Sequence, residues 1–358
     1  MNNVWWNQIS RARHFVDEIL ECLVQEKSLV LCLPELMPYY PDFQEIMQDT
    51  LRQEKGNRRV MVVDCPEGEV GPFLLEKFCK KEKRSSYRYG ITYAQFLGES
   101  EDITLNDCYL WVRGVSKKKG KEWISFIDEY LKAAASHPAA VFILEGGEEL
   151  SNITRKGIKA FSFKEAIDAY DRFAFCALTV SDNTCREAYR PYLAELVSNL
   201  CEEDVELCEH CAKLGTAFLK SPREAFLQIL EKERRSDGKP FEMKTDIEWL
   251  TEKTWESQIR ILFPCIEQYR KDFTSHYEKE IAAGLPIQDS YGNVIENPQE
   301  IEVGVITSLI GRKLFTVTME EYEELVLFKN ARNDLAHLDV VPWESAERII
   351  TWKKRNGK

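Results

Sequence analysis

Short apolar runs alternate with amphipathic helical segments as far as about Asp182, and there the strand signals stop. The first run, Ser28–Leu33 (Ser-Leu-Val-Leu-Cys-Leu), is closed by Pro34 and has no polar alternation. Such a strand is expected to be buried on both faces, in a parallel sheet covered by helices. Arg59–Val63, Asp107–Val115 and Ala140–Leu144 repeat the pattern, and Ile158–Phe161 is a short fifth candidate. Helical spacing fills the intervals at Arg11–Val24, Phe43–Leu51, Gly71–Lys81 and Glu122–Ala134, with Phe163–Ala177 following. Strands separated by helical stretches of about 10 to 15 residues need crossover connections, which implies an α/β fold with a mostly parallel sheet flanked by helices.

Past Asp182 the pattern is helical: Arg186–Leu214, Pro222–Glu233, Trp249–Tyr269 running on toward Ile281, Ile301–Ile310, Met319–Leu338 and Glu344–Trp352. The polar stretch Arg234–Pro240 has the composition of a boundary. Three regions are therefore expected: an α/β domain over 1–181, a helical lid-like segment and linker over 182–240, and a helical bundle over 241–358. A loop over Leu285–Pro298 is expected to hold a hairpin-like turn at Tyr291-Gly-Asn293.

Of 358 residues, 48 are Lys or Arg and 60 are Asp or Glu, a net charge of −12. That balance excludes coating of nucleic acid by bulk charge, and any capture of RNA needs a local basic patch. The opening Met-Asn-Asn-Val-Trp-Trp lacks the basic and apolar regions of a signal peptide, and the apolar runs are too short to span a bilayer. Eleven scattered cysteines in a chain of this size suggest reduced thiols and a cytoplasmic setting, with no membrane partner. Cys201, Cys208, His210 and Cys211 include a C-x-x-C without a second ligand pair at zinc spacing. Positions 201, 204, 208 and 211 share one helix face, so buried thiols are expected there and no metal or cofactor is implied.

The string richest in chemistry is Asn330-Ala-Arg332-Asn333-Asp-Leu-Ala-His337-Leu338. Its apolar stripe is Phe328, Ala331, Leu335 and Leu338. Asn333 and His337, four apart, share a different face, and Arg332 lies about 140° around from His337 on a regular helix. One copy does not easily close both on a single phosphate, whereas two copies about a two-fold axis could.

Here the sequence resembles the HEPN superfamily of helical bundles, whose signature is Arg, four to six residues, then His. The resemblance covers roughly Thr245–Trp352. It implies an RNA-cleaving homodimer that needs no metal, of a kind frequent in bacterial toxin and phage-defence systems. His337 would serve as general acid or base and Arg332 as a fork on the phosphorane oxygens. Asn333 would orient the imidazole or bind the ribose, and products would carry a 2′,3′-cyclic phosphate. Some members keep the motif as binding modules, so a non-catalytic scaffold subunit is the alternative.

The first half resembles P-loop ATPases of the AAA or STAND kind in its order of elements, and departs from them in the decisive loop. Where G-x-x-x-x-G-K-[ST] would cradle phosphates, the chain has Pro34-Glu-Leu-Met-Pro-Tyr-Tyr-Pro41, with Glu35 and Asp42 nearby. Arg113 stands where a magnesium-binding Asp would be wanted. A look-alike, Gly114-Val-Ser-Lys-Lys-Lys-Gly120-Lys121, has one residue too many between its glycines; it is either a weak phosphate cradle or a solvated basic turn. The resemblance implies a degenerate scaffold that senses or binds a protein partner.

Overall fold

The computed structural model describes residues 3–355 except 89, 136, 154–156, 183–184, 289–291 and 293, and the side chains of 354 and 355. The chain divides into two compact units, Met1–Phe175 and Cys176–Lys358.

The first unit is an α/β layer structure. β1 (Leu29–Cys32), β2 (Arg59–Asp64), β3 (Cys108–Arg113), β4 (Val141–Gly146) and β5 (Lys159–Ser162) form one parallel sheet in the order β2-β3-β4-β1-β5. The interior strands β1 and β3 and the first four residues of β4 are almost wholly buried, which is why they read as unbroken apolar runs. The β2 edge is more open. On one face Val30, Cys32 and Leu110 pack with Trp123, Ile127 and Tyr130 of the helix Lys117–Ala133. That helix starts five residues before the expected Glu122. Ser116 caps it by accepting the Lys119 N–H, so the lysine run is its first turn.

Among its described residues the second unit is mainly helical, with a two-residue antiparallel pair, β6 (Ile287–Gln288) with β7 (Val294–Ile295), and a single antiparallel bridge between Arg234 and Pro240. Tyr291 and Asn293 of the expected turn lie outside the described residues. The helical region expected over Arg186–Leu214 is interrupted. Arg190–Cys201 ends where Glu202 takes φ 47°, and Val205–Lys213 restarts with Asp204 as its cap. Cys201 and Cys211 therefore sit on different helices, yet their sulfurs lie 3.7 Å apart in the core. The stretch 234–240 lies inside this unit as a pinned turn. Arg235 is 3% exposed and forms ion pairs with buried Asp204 and Glu206. Its polar composition suggested a linker because partners some thirty residues upstream leave no local trace.

The long helix Ile247–His276 is the spine of the bundle; Val303–Gly311, Met319–Ala336 and Trp343–Arg355 build the core with it. Tyr269 stacks on Phe328 with ring centroids 3.9 Å apart, and Trp352 meets both rings edge-on. Among the described residues no helix is long and apolar enough to cross a membrane.

Candidate functional site

The helix Met319–Ala336 opens with a capping box, in which the Thr318 hydroxyl accepts the Glu321 N–H and the Glu321 carboxylate accepts the Thr318 N–H. Leu325, Phe328, Ala331 and Leu335 are its buried stripe. Leu338, expected to continue that stripe, lies past the helix end at φ 65° and is 65% exposed. His337 is the C-cap. The Asp339 N–H donates to the Asp334 carbonyl (2.8 Å), and the Leu338 N–H donates to the Leu335 carbonyl (3.4 Å). This is a Schellman closure, whose left-handed position normally goes to glycine. A leucine there carries backbone strain of about 1 kcal/mol, which the surrounding structure must hold in place.

Two side chains of the long helix hold it. The Trp255 indole N–H donates to the Leu335 carbonyl (2.8 Å). Buried Gln258 grips Val341 from both sides, its amide donating to the carbonyl (2.8 Å) and its oxygen accepting the N–H (2.7 Å). The last turn of the motif helix is thus fixed at both of its outgoing strands of backbone.

On this frame Asn333 and His337 are exposed and share the outer face, and the His337 N–H donates to the Asn333 carbonyl at 3.0 Å. Among the described residues the His337 ring has no hydrogen-bond or ion-pair partner. Arg332 leaves the helix in another direction, with its guanidinium 2.5 Å from the carboxylate of Glu302, the residue preceding the helix Val303–Gly311. A single chain therefore brings Asn333 and His337 together and holds Arg332 against a carboxylate. Glu302, Trp255 and Gln258 leave no signal in the sequence, since each lies 30 to 83 positions from its partner and no periodicity links them.

The other place to look is the carboxyl end of the sheet, where ligands of open α/β folds bind. Here it is filled by the chain itself. Tyr39 turns at φ 46°, and Tyr40 opens the helix Tyr40–Glu54 with its hydroxyl donating to Glu145 at the end of β4 (2.8 and 2.9 Å). The Trp111 indole N–H donates to the same carboxylate at 2.7 Å. Burial raises Glu145 above the ordinary carboxylate value, against the pull of these donors. Burial and the adjacent Glu145 charge push the Tyr40 phenol up as well. Burial, with the Glu148, Glu149 and Glu165 charges behind it, pushes the Cys32 thiol to about 12. Arg113 pairs with Asp64 at 2.8 Å, and Asp42 accepts the Asn3 amide.

The Gly114–Lys121 segment does not shape a cradle either. Gly114 is an exposed turn residue at φ 70° and Lys121 is exposed. Gly120 is buried in the helix, where an added Cβ would meet Leu150 and Ile153 at 3.0 and 3.2 Å. Its lack of a side chain serves packing. Among the described residues no group of three or more His, Cys, Asp or Glu side chains is arranged to hold a metal ion. No family model matches this sequence and no curated protein matches it either, so the reading of the site stands on the residues and geometry above.

Proposed function

We infer that the second unit carries a metal-independent endoribonuclease site of the HEPN type, completed by a second copy of the chain. The α/β unit is then a degenerate P-loop-like platform that regulates the site or recruits a partner protein. One observation carries the reading: Asn333 and His337 stand unobstructed on one face of a rigidly clamped helix end, while Arg332 stands on another. The placement of β1 between β4 and β5 is compatible with the P-loop resemblance of the first unit.

In the reaction, the ribose 2′ oxygen attacks the adjacent phosphorus and the bond to the 5′ oxygen breaks, leaving a 2′,3′-cyclic phosphate and a 5′ hydroxyl. One imidazole takes the 2′ proton and the second copy's imidazole gives a proton to the leaving oxygen. Arg332 supplies two donors to the phosphorane oxygens once phosphate displaces Glu302. A role as a toxin or phage-defence effector follows from the family resemblance.

The test is incubation of end-labelled RNA with the full chain in the presence of a chelator. Cleavage to cyclic-phosphate ends, lost in His337→Ala and Arg332→Ala, supports the reading; cleavage that survives in His337→Ala sinks it. The second reading is a non-catalytic interaction subunit. It is favoured by the Arg332–Glu302 pair, which already neutralises the guanidinium, and by the filled sheet edge at Tyr40 and Glu145. A stoichiometric partner on purification, with no RNA cleaved, would select it.

A further inference from the structure

A chain with net charge −12 concentrates six of its 48 basic residues in positions 77–88: Lys77, Lys80, Lys81, Lys83, Arg84 and Arg88, against the single acid Glu82. We propose that this segment is a binding surface for single-stranded RNA. The proposal takes the identity of the polymer from the ribonuclease reading and adds where it is held.

Three features suit this cluster to a polyanion. Among the described residues none of the six forms an ion pair, although other exposed cations of the same unit do: Lys132 pairs with Asp128 (2.8 Å), Arg113 with Asp64 and Arg52 with Asp49 (3.0 Å). Positive charge left unpaired in an acidic protein is a local potential well for polyanions. Second, the cluster is ordered by its own backbone. The helix Val70–Phe78 runs into the short helix Lys81–Arg84, the Arg84 guanidinium donates to the Cys79 carbonyl (2.8 Å), and Ser85 and Ser86 cap the end through the Lys81 and Lys83 carbonyls. A backbone held in this way has little conformational freedom to lose on meeting a phosphate chain.

Third, aromatic rings interleave with the charges. Lys77 lies over Phe73 at 5.6 Å, and the half-buried Tyr87 stacks on Tyr93 with centroids 4.5 Å apart. Basic grooves with rings at their margin suit single strands, whose unstacked bases present π faces. An anionic membrane would call for a large exposed apolar side chain as a wedge. Among the described residues the segment has none, since Phe73, Tyr87 and Ile91 are partly buried and Phe78 fully so.

The experiment uses the full chain carrying His337→Ala, so that bound RNA is not consumed, and a fluorescein-labelled oligouridylate of about 20 nucleotides. In that background the triple Lys80→Ala/Lys81→Ala/Arg88→Ala, all exposed, removes half the cluster. Lys117→Ala/Lys118→Ala/Lys121→Ala removes the same charge from another exposed site of the unit. The first triple should weaken binding at least about tenfold near 0.1 M salt and flatten the plot of log affinity against log salt by about 2; the second should change both little. Equal losses in both triples would reduce the effect to bulk charge and overturn the proposal. So would absence of oligouridylate binding, or binding instead to phosphatidylserine-containing vesicles that the first triple abolishes. RNA bound through this cluster but never cleaved by the unmutated chain leaves the surface standing and removes the ribonuclease reading. RNA that the unmutated chain cleaves, and that both triple variants bind as tightly as the His337→Ala parent, does the reverse.

Discussion

Two carboxyl ends stand out in this molecule, and they are built in opposite ways. At the end of the parallel sheet, Tyr40 and Trp111 spend their donors on Glu145, and Arg113 pairs with Asp64. At the end of the helix Met319–Ala336, the backbone is clamped from behind by Trp255 and Gln258 while His337 and Asn333 remain unengaged in front. A satisfied polar cluster resists ligands because entry means breaking charge-assisted hydrogen bonds. At the helix end only the exposed Arg332–Glu302 pair has to break, and the backbone that carries His337 and Asn333 has little entropy left to lose. On the reading proposed above, chemistry belongs to the helix end, and the closed sheet end offers it no free donor.

The largest effect should come from His337→Ala. If the imidazole moves protons, RNA cleavage falls by about 10²- to 10⁴-fold, and because the ring is exposed and unpartnered the melting temperature stays put. A parallel fall in stability would mean that the residue is part of the scaffold. Gln258→Ala attacks the frame instead. It leaves the Val341 N–H and carbonyl buried without partners, so unfolding in urea should show a loss of about 3 kcal/mol. Cleavage should fall further than that loss of folded protein explains, because the turn carrying His337 is released.

At the closed end, Tyr40→Phe deletes a donor to a buried carboxylate and should cost about 2 kcal/mol above neutral pH. The sign of its pH dependence separates it from ordinary cavity effects. Glu145 titrates above its unfolded value, so the native state keeps a proton that the unfolded chain has released. Stability from this group is therefore highest below the unfolded pKa and falls as the pH climbs through the native one. Removing the Tyr40 donor raises the native value again and widens that fall, whereas Glu145→Gln abolishes it. A pH-independent difference between Tyr40→Phe and the parent would rule out Glu145 as the linked group.

These two ends differ also in how much of them the sequence displays. Burial on both faces writes β1, β3 and β4 as continuous apolar runs, so the sheet was legible nearly to the residue. The shared exposure of Asn333 and His337 was legible too, since it follows from their spacing along one helix. What escaped depends on distant partners: Trp255 on Leu335, Gln258 on Val341, Arg332 on Glu302, Arg235 on Asp204. Local pattern misled in two places as well. Leu338 fits the apolar spacing but falls after the closure of the helix, and Cys201 fits the face of Cys208 and Cys211 although a left-handed Glu202 breaks the helix between them.

The strain at Leu338 makes a smaller prediction. Leu338→Gly removes the Cβ penalty at φ 65°, and because the side chain is mostly exposed it sacrifices little burial. The gain is reduced by the extra freedom glycine brings to the unfolded chain, so the net stabilisation should be about 0.5 kcal/mol at most, read as a small rise in melting temperature. If the turn is held rigid by Trp255 and Gln258 alone, cleavage is unchanged. If the leucine side chain itself meets the second copy, the glycine variant becomes more stable and yet loses dimer affinity, a split that sedimentation at varied concentration would reveal.

The smallest effect concerns the one contact that both functional readings use. Glu302 is 57% exposed and the Arg332 side chain 30%, so their ion pair is screened by solvent despite its short distance. A double-mutant cycle of Arg332→Ala and Glu302→Ala should return a coupling below about 1 kcal/mol that shrinks further in high salt. A pair so weakly held can yield to a phosphate, because the guanidinium exchanges one carboxylate for a doubly bonded anion. A coupling of about 3 kcal/mol or more would instead mean that Arg332 is locked in a structural bridge. The helix end would then be as closed as the sheet end, the contrast between the two would disappear, and the interaction-subunit reading would take precedence.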